Sequence, residues 1–394
     1  MTKEEFYSLF IYASMAAIIL LTGFLIVRPA MEAGYLAVQA GSNFAFLLIS
    51  LIIGILVNVL LLEVGHFIGA KLGGYKVLSF NILGLCFYKK EVAPNQYKTK
   101  FRFKSFDGFT GETKIAPKKE KANPMVYVFL PLFLMLLEFV VLYCVIAFIK
   151  DSKEDTDSML MFVKYGTIVV AAVAGCFIVY DYFPARIDSL NDGYRLVLLN
   201  KKINIDAYNA KLIYEEAEFY NREIKEYKTY DAITDFTARA NLEVAIDNVL
   251  KDKYEEAIGL IDKTISDPKK MSKVTLDELL KTKSYIYFLS KPLEEAKTFY
   301  EETFDGSQKN NIRDCKKYSS IRLYILFEGL IEKSRSEIEF ANQRKTKLDS
   351  RSEDGEIKKE SALIEKSLNK VYEINPGLKV EKNDKKVENT TDKE

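Results

Sequence analysis

The chain has 394 residues and a formal net charge of +1, with 48% hydrophobic and 28% charged residues, yet the apolar residues crowd the first half and the charged ones the second. Two solvents are implied for one chain. A single histidine, His66, and four scattered cysteines, Cys86, Cys144, Cys176 and Cys315, exclude a paired-imidazole mechanism, a disulfide framework and a zinc knuckle.

Residues 6–27 form an apolar run, and about 20 residues is the length a helix needs to cross the hydrocarbon layer. Lys3, Glu4 and Glu5 precede it in place of a basic cluster, and no good small-residue cleavage site follows. It therefore reads as an uncleaved span, not as a secretory signal. Further spans are expected at 44–66, 125–149 and 159–183.

Positively charged loops tend to stay in the cytosol. The connection 71–123 holds Lys71, Lys76, Lys89, Lys90, Lys98, Lys100, Arg102, Lys104, Lys114, Lys118, Lys119 and Lys121, whereas the third connection carries Asp151, Glu154, Asp155 and Asp157. This bias puts 71–123 and both termini on the cytosolic side. Within that loop, 77–88 and 97–106 read as the two strands of a β-hairpin turning at Pro94-Asn95. Lys98, Lys100, Arg102 and Lys104 alternate with Phe101 and Phe103. Anionic lipid is the partner expected there, because juxtamembrane lysines are attracted to it by about 1 kcal/mol each. Pairing of a substrate strand at the hairpin edge is the alternative. No nucleic-acid motif is present.

Ionisable groups inside a span cost roughly 2.5 to 3.5 kcal/mol each at its centre. Glu63 and His66, three residues apart, share one face near the cytosolic end of the second span, and Asp192 follows the fourth. The topology brings all three to one depth, and Gly65, Gly69, Gly73 and Gly74 allow close helix approach. The plain alternatives are a histidine bonded to a neighbouring helix and an aspartate acting as a helix N-cap.

The stretch Leu62-Glu63-Val64-Gly65-His66-Phe67-Ile68-Gly69-Ala70-Lys71 resembles the H-E-x-G-H-F-x-x-A-K segment of the site-2 protease family of intramembrane zinc metalloproteases. Asn191-Asp192-Gly193-Tyr194-Arg195 is similar to that family's Asp-Gly motif, and the segments at 74–80 and 108–111 are similar to a group of such proteins from Gram-positive bacteria. The likeness covers about residues 44 to 200 and implies Glu63 as general base on a zinc-bound water, with His66 and Asp192 as metal ligands. It further implies substrate contacts at Asp181, Asn191, Gly193, Gly108 and Gly111, Asp181 standing for the Asn of an Asn-x-x-Pro turn before Pro184. Leu62 replaces the first histidine ligand. Cofactor content is accordingly expected to be none, or a weakly bound zinc.

From about Asp206 the apolar spacing becomes helical. Tyr214-Glu215-Glu216-Ala217, Tyr254-Glu255-Glu256-Ala257 and Leu293-Glu294-Glu295-Ala296 recur about every 40 residues, and 206–343 resembles tetratricopeptide-type helical hairpins. An ordinary helical bundle is the alternative. Residues 344–394 read as a charged tail: 345–360 loosely ordered, 361–374 one more helix ended by Pro376-Gly377, and the rest disordered.

The fold expected is thus mainly α: a polytopic membrane protein of the bacterial inner membrane with four spans, a cytosolic β-hairpin and a C-terminal helical repeat domain. Residues 1–200 would form the membrane domain. Three functions stand open: a noncatalytic relative of the protease that binds a transmembrane client helix and protein partners, an active intramembrane metalloprotease, and a structural anchor for the helical domain.

Overall fold

The computed structural model of the chain describes residues 3–36, 40–93, 96–103, 111–118, 122–153, 158–187, 189–224, 226–314 and 317–379. Gly108, Lys104 and the Pro94-Asn95 turn expected from the sequence lie outside them. Two compact units result, one of 1–244 with 264–276, the other of 245–263 with 277–394.

The first unit opens with α1 (Lys3–Thr22), which continues through a π-helical turn, Gly23–Val27, into α2 (Arg28–Glu32). α3 (Ala40–Leu72) ends at Gly73-Gly74, where Gly74 has a φ of +86° that a side-chain-bearing residue adopts only with strain. After a sheet come α4 (Pro124–Phe148) and α5 (Ser158–Tyr182). Asn123 caps α4 by accepting the Met125 N–H at 3.0 Å, and Pro124 sits in the first turn, where its missing N–H is not needed. Four stretches, Glu5–Glu32, Ala45–Leu72, Pro124–Phe148 and Met159–Tyr182, are long and apolar enough to cross a membrane. Their outward faces are apolar too, with Leu25, Val141 and Tyr143 more than half exposed.

Small residues set the helix spacing. A Cβ on Gly65 would lie 2.5 Å from the Pro131 Cα, and one on Gly69 2.9 Å from the Val126 carbonyl oxygen, so α3 and α4 pack backbone to backbone. Gly54 likewise meets Val170 and Val173 of α5.

The connection between α3 and α4 holds four strands where the sequence suggested two. β1 (Tyr75–Ile82) and β2 (Leu85–Ala93) are joined by Leu83-Gly84, both at positive φ, and β3 (Gln96–Phe103) and β4 (Gly111–Pro117) complete an antiparallel sheet of order β3-β2-β1-β4. The expected strand 77–88 is therefore two strands around a tight turn, because paired positive φ values match strand twist. Tyr75 pairs with Pro117 and Ile82 with Gly111, so β1 and β4 run side by side over their full length. Phe80 stacks edge-on against Phe67 of α3 at 5.4 Å, and Gly111 reaches the Glu63 carboxyl. The sheet thus folds back along α3 from its end toward the level of Glu63.

A short hairpin, β5 (Arg186–Ile187) with β6 (Ser189–Leu190), leads into α6 (Asp192–Leu198) and α7 (Lys202–Phe219). The Tyr75 hydroxyl donates to Asn209 Oδ1 at 2.7 Å, and Asn209 Nδ2 donates to the Ala122 carbonyl, fastening α7 to the sheet and to the start of α4.

The remaining helices are α8 (Asp235–Leu250), α9 (Tyr254–Ile265), α10 (Lys273–Ser290), α11 (Leu293–Thr303), α12 (Gly306–Asp314), α13 (Tyr318–Phe327), α14 (Arg335–Asp349) and α15 (Asp354–Ile374). In the second unit α13 is buried along nearly its whole length and packs against α14 and α15. Ala257 and Ala296 are fully buried, as small residues between helices would be, while Ala217 of the first unit is only half buried. The stretch 345–360 is not loosely ordered among the described residues. It completes α14 and begins α15, because Leu363, Ile364, Ser367 and Val371 form a buried stripe whose helix extends back to Asp354.

Candidate functional site

Three local structures bring the site together. α3 presents His66 toward Tyr127 of α4 and Glu63 toward Thr113 and Gly111 of β4. Asn191 then makes the turn that follows α5: its Nδ2 donates to the Tyr180 and Phe183 carbonyls at 2.9 and 2.5 Å, and its Oδ1 accepts the Tyr194 N–H at 3.0 Å. Asn191 is therefore the N-cap of α6, and the capping role considered for Asp192 falls to its neighbour. This frees the Asp192 carboxylate to point at His66. Gly193 is required in the same turn, since a Cβ there would lie 2.1 Å from the Tyr182 carbonyl oxygen.

His66 Nε2 stands 3.2 Å from Asp192 Oδ2, both side chains about 10% exposed, and His66 Nδ1 stands 3.3 Å from the Tyr127 carbonyl oxygen. Both ring nitrogens thus face acceptors. Tyr127 also stacks near the imidazole, with centroids 4.7 Å apart. On its other side Asp192 accepts from Arg195 Nη1 at 3.1 Å through Oδ1. Burial pushes the Asp192 carboxyl up, but the hydrogen bond from His66 and the Arg195 guanidinium outweigh it and hold the group below the ordinary carboxylate range.

Glu63 is buried within electrostatic range of His66 and Asp192, yet its bond goes elsewhere: the Thr113 hydroxyl donates to Glu63 Oε2 at 2.9 Å. β4 supplies this contact, and Gly111 of the same strand approaches so closely that a Cβ would lie 2.2 Å from Glu63 Cγ. Of the expected substrate contacts, Gly111 therefore makes room for Glu63, while Asn191 and Gly193 build the turn that carries Asp192. Asp181 lines a cavity of about 220 Å³ together with Leu62, His66, Asp192 and Arg195.

The zinc that the resemblance implies does not fit these residues. Catalytic zinc takes three protein ligands and keeps a fourth position for water. Here Leu62 offers hydrocarbon one turn before His66, so His66 and Asp192 supply two of the three ligands. A guanidinium beside Asp192 would also repel a divalent cation. Among the described residues no group of three or more His, Cys, Asp or Glu side chains is arranged to hold a metal ion.

Comparison with family models, with curated proteins and with solved structures finds no match to this chain.

The sequence reading passed over Arg195, Thr113 and Tyr127. Arg195 carried a readable signal, an acid and a base at i and i+3 on one helix. Thr113 and the Tyr127 carbonyl did not, because each acts through long-range packing.

Proposed function

We propose that this chain is a four-span membrane protein on a site-2-protease-like scaffold that works by binding rather than by zinc chemistry. In this reading the bundle seats a client transmembrane helix, and the C-terminal helices, arranged as tetratricopeptide-like hairpins, engage a cytosolic protein segment. Both termini face the cytosol of a bacterial cell, and the chain resides in the inner membrane.

One observation carries the proposal. Arg195 holds one oxygen of Asp192 while His66 faces the other, so both oxygens of the carboxylate that a metalloprotease would offer its metal have partners within the protein. The scaffold motif at Asn191 and Gly193 and the close helix approach at Gly65 and Gly69 support an origin shared with the protease family. The exposed Lys90, Lys98 and Lys100 on one face of β2 and β3, with the exposed Phe87, Phe101 and Phe103 on the other, support contact with anionic lipid headgroups at the sheet.

Metal analysis tests the reading. The full chain, purified in detergent without chelators, is expected to carry far less than one zinc per molecule, with no change in His66→Ala. Stoichiometric zinc that disappears in His66→Ala or Asp192→Ala would overturn it. A double change, Leu62→His with Arg195→Ala, should create zinc binding that Leu62→His alone does not, because only then are three ligands free of the guanidinium. Photocrosslinking from position 62 in membranes is expected to capture a protein neighbour.

A further inference from the structure

A second polar layer lies deeper in the helix bundle. Glu138 stands fourteen residues into α4, about 21 Å from the start of the helix and about 15 Å from its end at 1.5 Å per residue. It is 8% exposed, and among the described residues neither carboxyl oxygen has a hydrogen-bond partner. Asn58 of α3 is fully buried. Its Nδ2 donates to the Gly54 carbonyl at 2.9 Å, and its Oδ1 has no donor among the described residues.

Helix register puts the two at one level. Gly65 meets Pro131 and Gly69 meets Tyr127, so each step down α3 matches a step up α4. Seven residues from Gly65 lies Asn58, and seven from Pro131 lies Glu138. Tyr127, Pro131 and Glu138 also belong to the same buried face of α4, which is the face that α3 covers. Three orphaned oxygens, all acceptors, therefore share one depth near the middle of the bundle. On α5 this level carries the small Ala174 and Gly175, followed by the Cys176 thiol, which is directed at the Met15 carbonyl of α1 at 3.8 Å. Glu63, five residues beyond Asn58 on α3, is committed to Thr113. No charged neighbour among the described residues acts on Glu138.

Buried acceptors without donors, and above all a carboxylate without a counter-charge, are costly in an apolar interior. Hard oxygen donors of this kind are satisfied by a proton or by a small cation. We propose that Glu138 and Asn58 form a site for one monovalent cation, a proton or a sodium ion, halfway through the bundle. The site rests on the membrane-spanning reading above. A proton bound to the carboxylate gives a neutral acid whose O–H donates to Asn58 Oδ1. A sodium ion would instead bridge the carboxylate and the amide oxygen, and either occupant brings the local charge to zero. Neither step involves His66, Asp192 or a divalent metal.

The experiment uses the full chain in native membranes. Alkaline carbonate extraction comes first: a chain that dissolves would refute the membrane reading itself, whereas the steps that follow judge the cation site alone. Membranes are then treated with dicyclohexylcarbodiimide, which modifies protonated carboxyls in apolar surroundings, and the adduct on the Glu138 peptide is measured by mass spectrometry. The pH is varied from neutral to alkaline, with sodium or choline as the salt cation, and Glu138→Gln is the blank. Infrared spectra supply a readout that needs no reagent access, as the protonated-carboxyl band present in the wild type and absent from Glu138→Gln. The site is expected to show labelling and a band that fade as pH rises, and Asn58→Ala should lower both severalfold at neutral pH. Suppression by sodium but not choline assigns sodium as the occupant, and indifference to sodium assigns the proton. A carbonate-resistant chain whose label and band are both absent, or independent of pH and sodium alike, overturns the proposal.

Discussion

The two units of the molecule bury charge in opposite ways. In the helical unit Arg322, 2% exposed, is matched by Glu360 at 2.7 Å and lies over the Tyr285 ring at 5.2 Å, so a single cation has a single acid and an aromatic face. Lys281, also buried, is held by Asp277 at 2.6 Å, with Glu278 3.7 Å away. In the apolar bundle, among the described residues, the buried acids are Glu63, Asp192 and Glu138; Asp192 faces Arg195 and the imidazole, Glu63 has the Thr113 hydroxyl, and Glu138 has neither cation nor donor. The Arg322–Glu360 pair ties α13 to α15. A buried carboxylate without a counter-charge, as at Glu138, is the place where the proposed proton or sodium ion would bind. Stability is thus the expected outcome of changes in the first kind of region, and ligand binding of changes in the second.

The largest effect expected from breaking this contrast is at Arg322. Arg322→Ala leaves Glu360 without its buried partner and should destabilise the helical unit by about 3–5 kcal/mol. Chemical denaturation of the full chain in detergent measures it, and a loss below about 1 kcal/mol would mean that the pair is solvated and the contrast false. Next comes Gly193→Ala, whose Cβ collides with the Tyr182 carbonyl; overpacking of this kind costs about 1–3 kcal/mol. The same change should displace Asp192 from His66, which the imidazole resonances would report. A Gly193→Ala protein with unchanged stability and imidazole environment would show that the turn at Asn191 adapts freely.

The smallest effect is at Glu278 of the helical unit. Burial raises its carboxyl pKa, but Lys281 and Lys317 outweigh burial and bring it below the usual glutamate value. A depressed folded-state pKa contributes stability that is present above the unfolded value and lost as pH falls through the folded one. Glu278→Gln should therefore lower the melting temperature slightly at neutral pH, by no more than about 1 kcal/mol of stability, and flatten its decline in acid. An equal decline in both proteins would remove Glu278 from the account.

Much of this fold is readable in the residues because it rests on short-range rules. Runs such as 44–66 announce an apolar helix by length alone, and Asn123-Pro124 and Gly73-Gly74 announce helix ends. The sheet was only half legible. Leu83-Gly84 does not look like a hairpin turn, as leucine rarely takes positive φ, and β4 follows residues with no strand pattern. Gly193 could be read as a motif residue but not as a space left for the Tyr182 carbonyl.

The amino-acid order by itself determined the four apolar helices, the change from an apolar to a charged half, and the presence of Glu63, His66 and Asp192 without a second histidine, since each is a matter of composition or of spacing along one helix. Tertiary structure alone decided that Asn191, bonded to the Tyr180 and Phe183 carbonyls, turns Asp192 toward His66, that Glu63 bonds to Thr113, and that Asn58 and Glu138 share a level. Those outcomes depend on backbone approach between elements distant in the chain. Helix register and glycine contacts set that approach, and no local pattern encodes it.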